Sequence, residues 1–392
     1  MKKLIDKYVS KIVSHGLAER EHVALIGLDA EFTANRDLSD IDPELLRVFD
    51  RMDINALLYA EPAEPYRSIL RYLAAHHNRC LVPTDCETRT FLHDIPVIPA
   101  LSAEAVVTAL SHRKAAIVGN KGIISFGTVS PEQAFVSFSS VCFTTFVKFF
   151  TDVMYHLDDL ATCGTDRDTE LLEAYREISV KVPEAVHGSD AVPLSPPAEV
   201  AEIYQQMTDT GKELVRQRLV DSYFGNISYI FGDTIYISQT GSSMDELETC
   251  IDAVPLDGSS SSGITASSEL SAHISIFRKT GRRAIIHGHP KFTVIMSMSC
   301  RKQGCDMSTC YRSCKEDRSV LDMPVVSGEI GTGPTGLVHT VPEAMNRGKA
   351  VLVFGHGIFS ASGDSFGPAF ELLRSAEATC RKEYFKKIQA LI

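Results

Sequence analysis

Ile285-Ile286-His287-Gly288-His289-Pro290 is the segment from which the chain is read. With Ala284 it makes an apolar strand that ends in two histidines two positions apart. Residues i and i+2 of a strand point to the same side, so His287 and His289 aim both imidazoles at one point. Gly288 leaves the space between them open. A second apolar run, Val351-Leu352-Val353-Phe354, delivers His356 between two glycines. Three neutral imidazoles with one open position suit a catalytic divalent metal, zinc first, with manganese and cobalt as the other candidates. Glu269 stands upstream of the pair, and a carboxylate beside such a metal is a candidate general acid/base. The HxH pattern alone also describes ordinary histidines at a strand end. The ordered set of motifs around it carries the reading.

That set is Gly225-Asn226-Ile227-Ser228, Thr240-Gly241, Ser267-Ser268-Glu269, His287-Gly288-His289-Pro290 and Gly355-His356-Gly357. In this order it resembles the class II aldolase/adducin family, over about residues 201–392. The resemblance implies that His287, His289 and His356 are metal ligands and that Glu269 is the catalytic acid/base. It implies a phosphate pocket at Gly225, Asn226, Thr240, Gly241, Ser267 and Ser268. Glycine N–H groups and small hydroxyls approach an anion closely, which agrees with that role. The same short pairs also read as turn chemistry or a helix N-cap, and both readings can hold together.

The resemblance further implies an α/β/α unit with a central, mainly antiparallel sheet flanked by helices. The implied activity is a metal-dependent aldolase, a carbon–carbon lyase acting on a small, phosphorylated hydroxy-carbonyl substrate. In such a reaction the metal binds the carbonyl and adjacent hydroxyl oxygens and stabilises the enediolate, while Glu269 transfers the proton. A sugar-phosphate 4-epimerase and a dehydratase are the enzymatic alternatives; a non-catalytic, adducin-like binding module is the other. The family's epimerases place Asp where this chain has Glu269, and adducins have lost the ligands that this chain keeps. Family sites lie at subunit interfaces, so a homo-oligomer is expected.

The first half repeats the pattern without the ligands. Ile54 to Pro62 parallels Arg283 to Pro290, with Tyr59 and Glu61 in the places of His287 and His289. Asp94 to Ile98 parallels Asp322 to Val326. Lys114 to Ile123 parallels Lys349 to Ile358, with Lys121 opposite His356. Three blocks in one order indicate a duplication. A protonated lysine cannot ligate, and one tyrosine with one glutamate makes no zinc site. The organisation expected is a degenerate aldolase-like domain at 1–160, a linker at 161–199 and a catalytic domain at 200–392. Residues 1 to about 50 read as mostly helical.

At 392 residues two domains are natural, and 44% hydrophobic with 23% charged residues describes an ordinary soluble chain. A net charge of -11 disfavours a nucleic-acid partner. No apolar run is expected to reach membrane-spanning length. The start, MKKLIDKYVSKIV, carries charges where a signal peptide needs an apolar core, so a cytoplasmic protein with no membrane partner is expected. Ten cysteines then suggest free thiols or metal rather than disulfides. Cys300, Cys305, Cys310 and Cys314 are dense enough for a structural metal or cluster, but their spacing matches no strong ligand pattern. Gly328 to Gly336 reads as a mobile loop, with Glu329 a second candidate carboxylate.

Overall fold

A computed structural model describes residues 1–77, 79–160, 166–184, 192–221, 223–300, 302, 305, 307–314 and 316–391. The chain divides into two units, Met1–Pro183 and Glu184–Ile392. Each is a mixed α/β unit built on one sheet flanked by helices.

The first sheet contains β1 (Val23–Leu28), β2 (Phe32–Ala34), β3 (Ala56–Ala60), β4 (Cys80–Leu81), β5 (Ile95–Ile98), β6 (Ala115–Val118) and β7 (Gly122–Gly127). Their order is β2-β1-β3-β7-β6-β5-β4, and only β5–β6 is parallel. The start expected to be mostly helical does carry helices Lys2–Ser14 and Pro43–Phe49, but β1 and β2, which were not expected, lie between them. Val23 to Leu28 is a short, almost wholly buried apolar run, and such runs lack the period that separates strand from helix. Helix Pro131–Leu160 packs across β3, β6 and β7. The stretch Pro131–His156 is long and apolar enough to cross a membrane, contrary to the sequence expectation. Its most apolar window is 89% buried, as a core helix requires. Helix Asp166–Ser179 lies within the stretch expected as a linker and packs on Pro131–Leu160.

The second sheet contains β8 (Asn226–Phe231), β9 (Thr234–Ser238), β10 (Ile251–Pro255), β11 (Ala284–Gly288), β12 (Arg318–Val320), β13 (Met323–Val326), β14 (Ala350–Val353) and β15 (Gly357–Ser362). Their order is β10-β9-β8-β11-β15-β14-β13-β12, with only β13–β14 parallel. Leaving out β10, the two sheets share strand order and pairing sense throughout. The registers agree as well. Tyr59 pairs with Ile124 as His287 pairs with Phe359, and Val118 pairs with Gly122 as Val353 pairs with Gly357.

Strand β11 is central and buried along its length because apolar cores cover both faces. Ile286 packs with Ile203, Met207, Phe370 and Leu373 on one side. Ile285 packs with Ile276, Phe277, Val341 and Phe359 on the other. The alternation that buries Ile285 puts His287 on the same face. Helix Leu270–Thr280 covers that face and stops at Gly281, whose φ of 66° is left-handed and whose N–H returns to the Phe277 carbonyl.

Candidate metal centre

Strand β11 places His287 at its end, and His289 follows two residues later. The turn from β14 to β15 brings His356 to the same point, its N–H bonded to the Val353 carbonyl at 3.0 Å. The three imidazoles offer ligand atoms that all lie within 4.8 Å of one another, and all three residues are buried. His287 Nε2 and His289 Nε2 are 2.8 Å apart. The ring of His356 stands nearly perpendicular to both others, at 86° and 89°.

The tautomer of His287 follows from its neighbour. Its Nδ1 lies 3.1 Å from the carbonyl oxygen of Ile358, which can only accept. Nδ1 therefore carries the proton and Nε2 presents its lone pair to the centre, the arrangement that orients metal-binding histidines. Burial holds His289 well below the ordinary imidazole range, and the adjacent His287 and His356 push it the same way. It is neutral and able to ligate. Buried nitrogen donors, a fixed tautomer and a carboxylate at the rim suit a divalent cation such as zinc.

That carboxylate is Glu269, 3% exposed. Its Oε2 accepts from Asn226 Nδ2 at 2.6 Å and lies 3.4 Å from His287 Nε2. Its Oε1 is 3.9 Å from His356 Nε2. Asn226 comes to it because β8 pairs with β11, Asn226 directly opposite His287.

The other expected phosphate-pocket residues divide. Ser267 is buried and Ser268 exposed. Ser267 Oγ accepts the Glu269 N–H at 3.3 Å, which fixes the backbone that presents Glu269. Thr240 Oγ1 donates to the Ala266 carbonyl at 3.0 Å, and Gly241 turns with a φ of 71° beside open space. Gly225 has a steric duty. Its φ is 103°, and a Cβ there would lie 2.6 Å from the His287 carbonyl oxygen.

Cys300, Cys305, Cys310 and Cys314 are free thiols. Among the described residues they form no close ligand group, whereas the histidines do. Burial pushes the Cys310 thiol up, away from the thiolate that a metal needs. Glu329 is engaged locally, accepting from Thr335 Oγ1 at 2.8 Å and Arg312 Nε at 3.0 Å.

Sequence reading missed the residues that hold the rings. Phe359 stacks on His287 with centroids 4.1 Å apart and an 18° tilt. Phe224 stacks on His289 at 5.9 Å and 4°. His273, one turn beyond Glu269, is fully buried, with Nδ1 2.6 Å from Ser228 Oγ. Burial lowers its imidazole to about 3, so it is neutral. No local sequence pattern pointed to them: Phe359 reaches His287 as its register partner, and Ser228 lies on the strand beside it.

Gly357 is the tightest point. A Cβ there would lie 2.4 Å from the Gly288 carbonyl oxygen, 2.9 Å from His289 Cδ2 and 3.0 Å from His287 Cε1. Gly357→Ala is expected to destabilise the protein by about 1–3 kcal/mol through overpacking. It should also weaken zinc binding at least about 10-fold, because the neighbours that must yield include two of the three clustered imidazoles. Urea denaturation and a zinc titration measure the two effects; wild-type zinc affinity in this variant would show that the rings absorb the methyl group.

Residues 205–384 match the profile of a family described as Class II Aldolase and Adducin N-terminal domain. Among solved structures, the L-fuculose-1-phosphate aldolase of Thermus thermophilus is 25% identical, with a TM-score of 0.39, over 48% of this chain and 97% of that one. Another L-fuculose 1-phosphate aldolase is 21% identical, with a TM-score of 0.38, over 49% and 95%. A sugar-phosphate aldolase from Thermotoga maritima is 19% identical, with a TM-score of 0.35, over 46% and 94%. No curated protein matches the chain.

Proposed function

We propose, from the premise that residues 205–384 belong to the class II aldolase and adducin family, that the second unit is a metal-dependent aldolase. Its substrate would be a small, phosphorylated hydroxy-carbonyl compound. The observation that carries this reading is the buried convergence of His287, His289 and His356 beside the carboxylate of Glu269. A non-catalytic binding module has no use for such a centre, since buried imidazoles and a buried carboxylate are costly to assemble.

His287, His289 and His356 would hold the cation, which when bound would supply Lewis-acid polarisation of a substrate carbonyl. The remaining chemistry belongs to the chain. Asn226 Nδ2 donates to Glu269 Oε2 and so holds that oxygen as an acceptor. Oε1 is then the atom that takes and returns the substrate proton at the rim of the triad. Ser267 keeps Glu269 in place by capping its N–H. Phe359 and Phe224 line the rings and keep water from their faces. Gly225, Asn226, Thr240, Gly241, Ser267 and Ser268 are proposed to receive the phosphate, with the small residues leaving room for an anion.

The first unit is proposed to be a degenerate copy that holds no metal. Strand order, pairing sense and register support this, and Tyr59 stands where His287 does. A Cβ on Gly122 would meet the Tyr59 ring at 2.4 Å, as one on Gly357 would meet His287. The protein is further proposed to act in the cytoplasm as a homo-oligomer.

The test is metal analysis of the purified protein, followed by a screen of ketose and aldehyde phosphates with added zinc, manganese or cobalt. Cleavage to two carbonyl products is the expected outcome. An epimerised or dehydrated product would move the assignment to the corresponding reaction, and a protein with no metal and no turnover would overturn it.

A further inference from the structure

The short helix Lys291–Ser297 begins directly behind His289-Pro290, and its other end lies against the turn that carries His356. At its start, Pro290 offers no side-chain cap. The cap comes from elsewhere in the unit. Glu377, on helix Phe366–Gln389, accepts the N–H groups of Phe292 at 3.0 Å and Thr293 at 2.8 Å, and the Thr293 hydroxyl at 2.9 Å. These are first-turn donors that the helix itself cannot satisfy. At the far end, Ser297 Oγ accepts the N–H of Gly355 at 2.9 Å while donating to the Val294 carbonyl at 2.6 Å. Gly355 is the residue before His356.

One two-turn helix therefore ties two of the three ring-bearing segments together. His287 is held separately, by strand pairing and by the Ile358 carbonyl. We propose that Lys291–Ser297 is a spacer whose two anchors, Glu377 and Ser297, set the separation of His289 and His356 and so tune cation affinity at the triad. Neither anchor is one of the three ligands; both are positioning residues. This rests on the reading of the triad as a metal site. A ring displaced by a fraction of an ångström loses its alignment with a cation, and partners of this kind are worth about 10–100-fold in affinity.

The test is a cobalt titration of the full-length apoprotein, followed by visible absorption, for wild type, Glu377→Gln, Ser297→Ala and His287→Ala. Glutamine offers one acceptor oxygen in place of two, and alanine removes the grip on Gly355. Both variants are expected to weaken cobalt binding about 10–100-fold and to alter the ligand-field band, which reports coordination geometry. Their circular dichroism and the urea midpoint of the Ser297→Ala apoprotein should stay near wild type, since one hydrogen bond is lost. Should Glu377→Gln fail to fold, Ser297→Ala alone decides. Unchanged affinity and an unchanged band in the folded variants, with cobalt bound by wild type and lost in His287→Ala, would overturn the spacer and leave the metal site standing. A wild-type protein that takes up no cobalt would bring down both.

Discussion

Replacing His287 with alanine should reduce bound zinc from about one equivalent to near zero. The side chain supplies a lone pair at Nε2 whose direction is fixed by the Nδ1–H bond to Ile358. It is also the ring that Phe359 supports and the one within 2.8 Å of His289 Nε2. Two imidazoles remain in the variant, too few for a catalytic zinc site, which takes three protein ligands. Thermal stability gives a second readout. A ligand present at about 100 times its Kd adds about 2.7 kcal/mol to a folded protein. Zinc should therefore raise the melting temperature of wild type and leave that of His287→Ala unmoved. Tyr59→Ala, at the equivalent place in the first sheet, should keep its zinc. Equal zinc in wild type and the His287 variant would sink the assignment of the triad.

Glu269→Gln should keep its zinc and lose turnover by about 10²–10⁴-fold, the usual worth of a positioned acid/base. Glutamine preserves shape, and its carbonyl oxygen can still accept from Asn226. What it lacks is an atom that takes a proton beside His356. The loss should appear in kcat more than in KM, because the substituted group acts on the reacting proton rather than on binding. Near wild-type kcat in a metal-loaded Glu269→Gln protein would remove Glu269 from the mechanism.

The convergence of the triad could be read from sequence because each histidine is announced locally. The i, i+2 spacing of His287 and His289 decides their side, and the glycines around His356 mark a close approach. The mixed α/β fold with its central antiparallel sheet followed from the family resemblance. Strand β1 could not be read, because Val23 to Leu28 is buried on both faces and shows no alternation. The helix Pro131–His156 does not stand out as a membrane-length run because scattered Ser and Thr residues interrupt its apolar sequence. Phe359, Phe224, Glu377 and Ser297 were also silent. Their importance comes from register and packing across distant segments, and no local pattern announces that. The duplicated blocks were visible where strands carry long apolar runs, but the matching pair β1 and β8 was not among them.

The bond from His287 to Ile358 spans 71 positions of chain. A growing polypeptide carries His287 and His289 well before it carries β15, and until β15 inserts beside β11 the third imidazole has no address. On the proposed reading, cation capture would thus be a late event in biogenesis, open only to a chain in which β15 already pairs with β11. The same dependence runs backwards. Loss of the proposed cation would make the antiparallel seam between β11 and β15 easier to part, so chelation should speed unfolding of the whole second unit rather than loosen one corner of it.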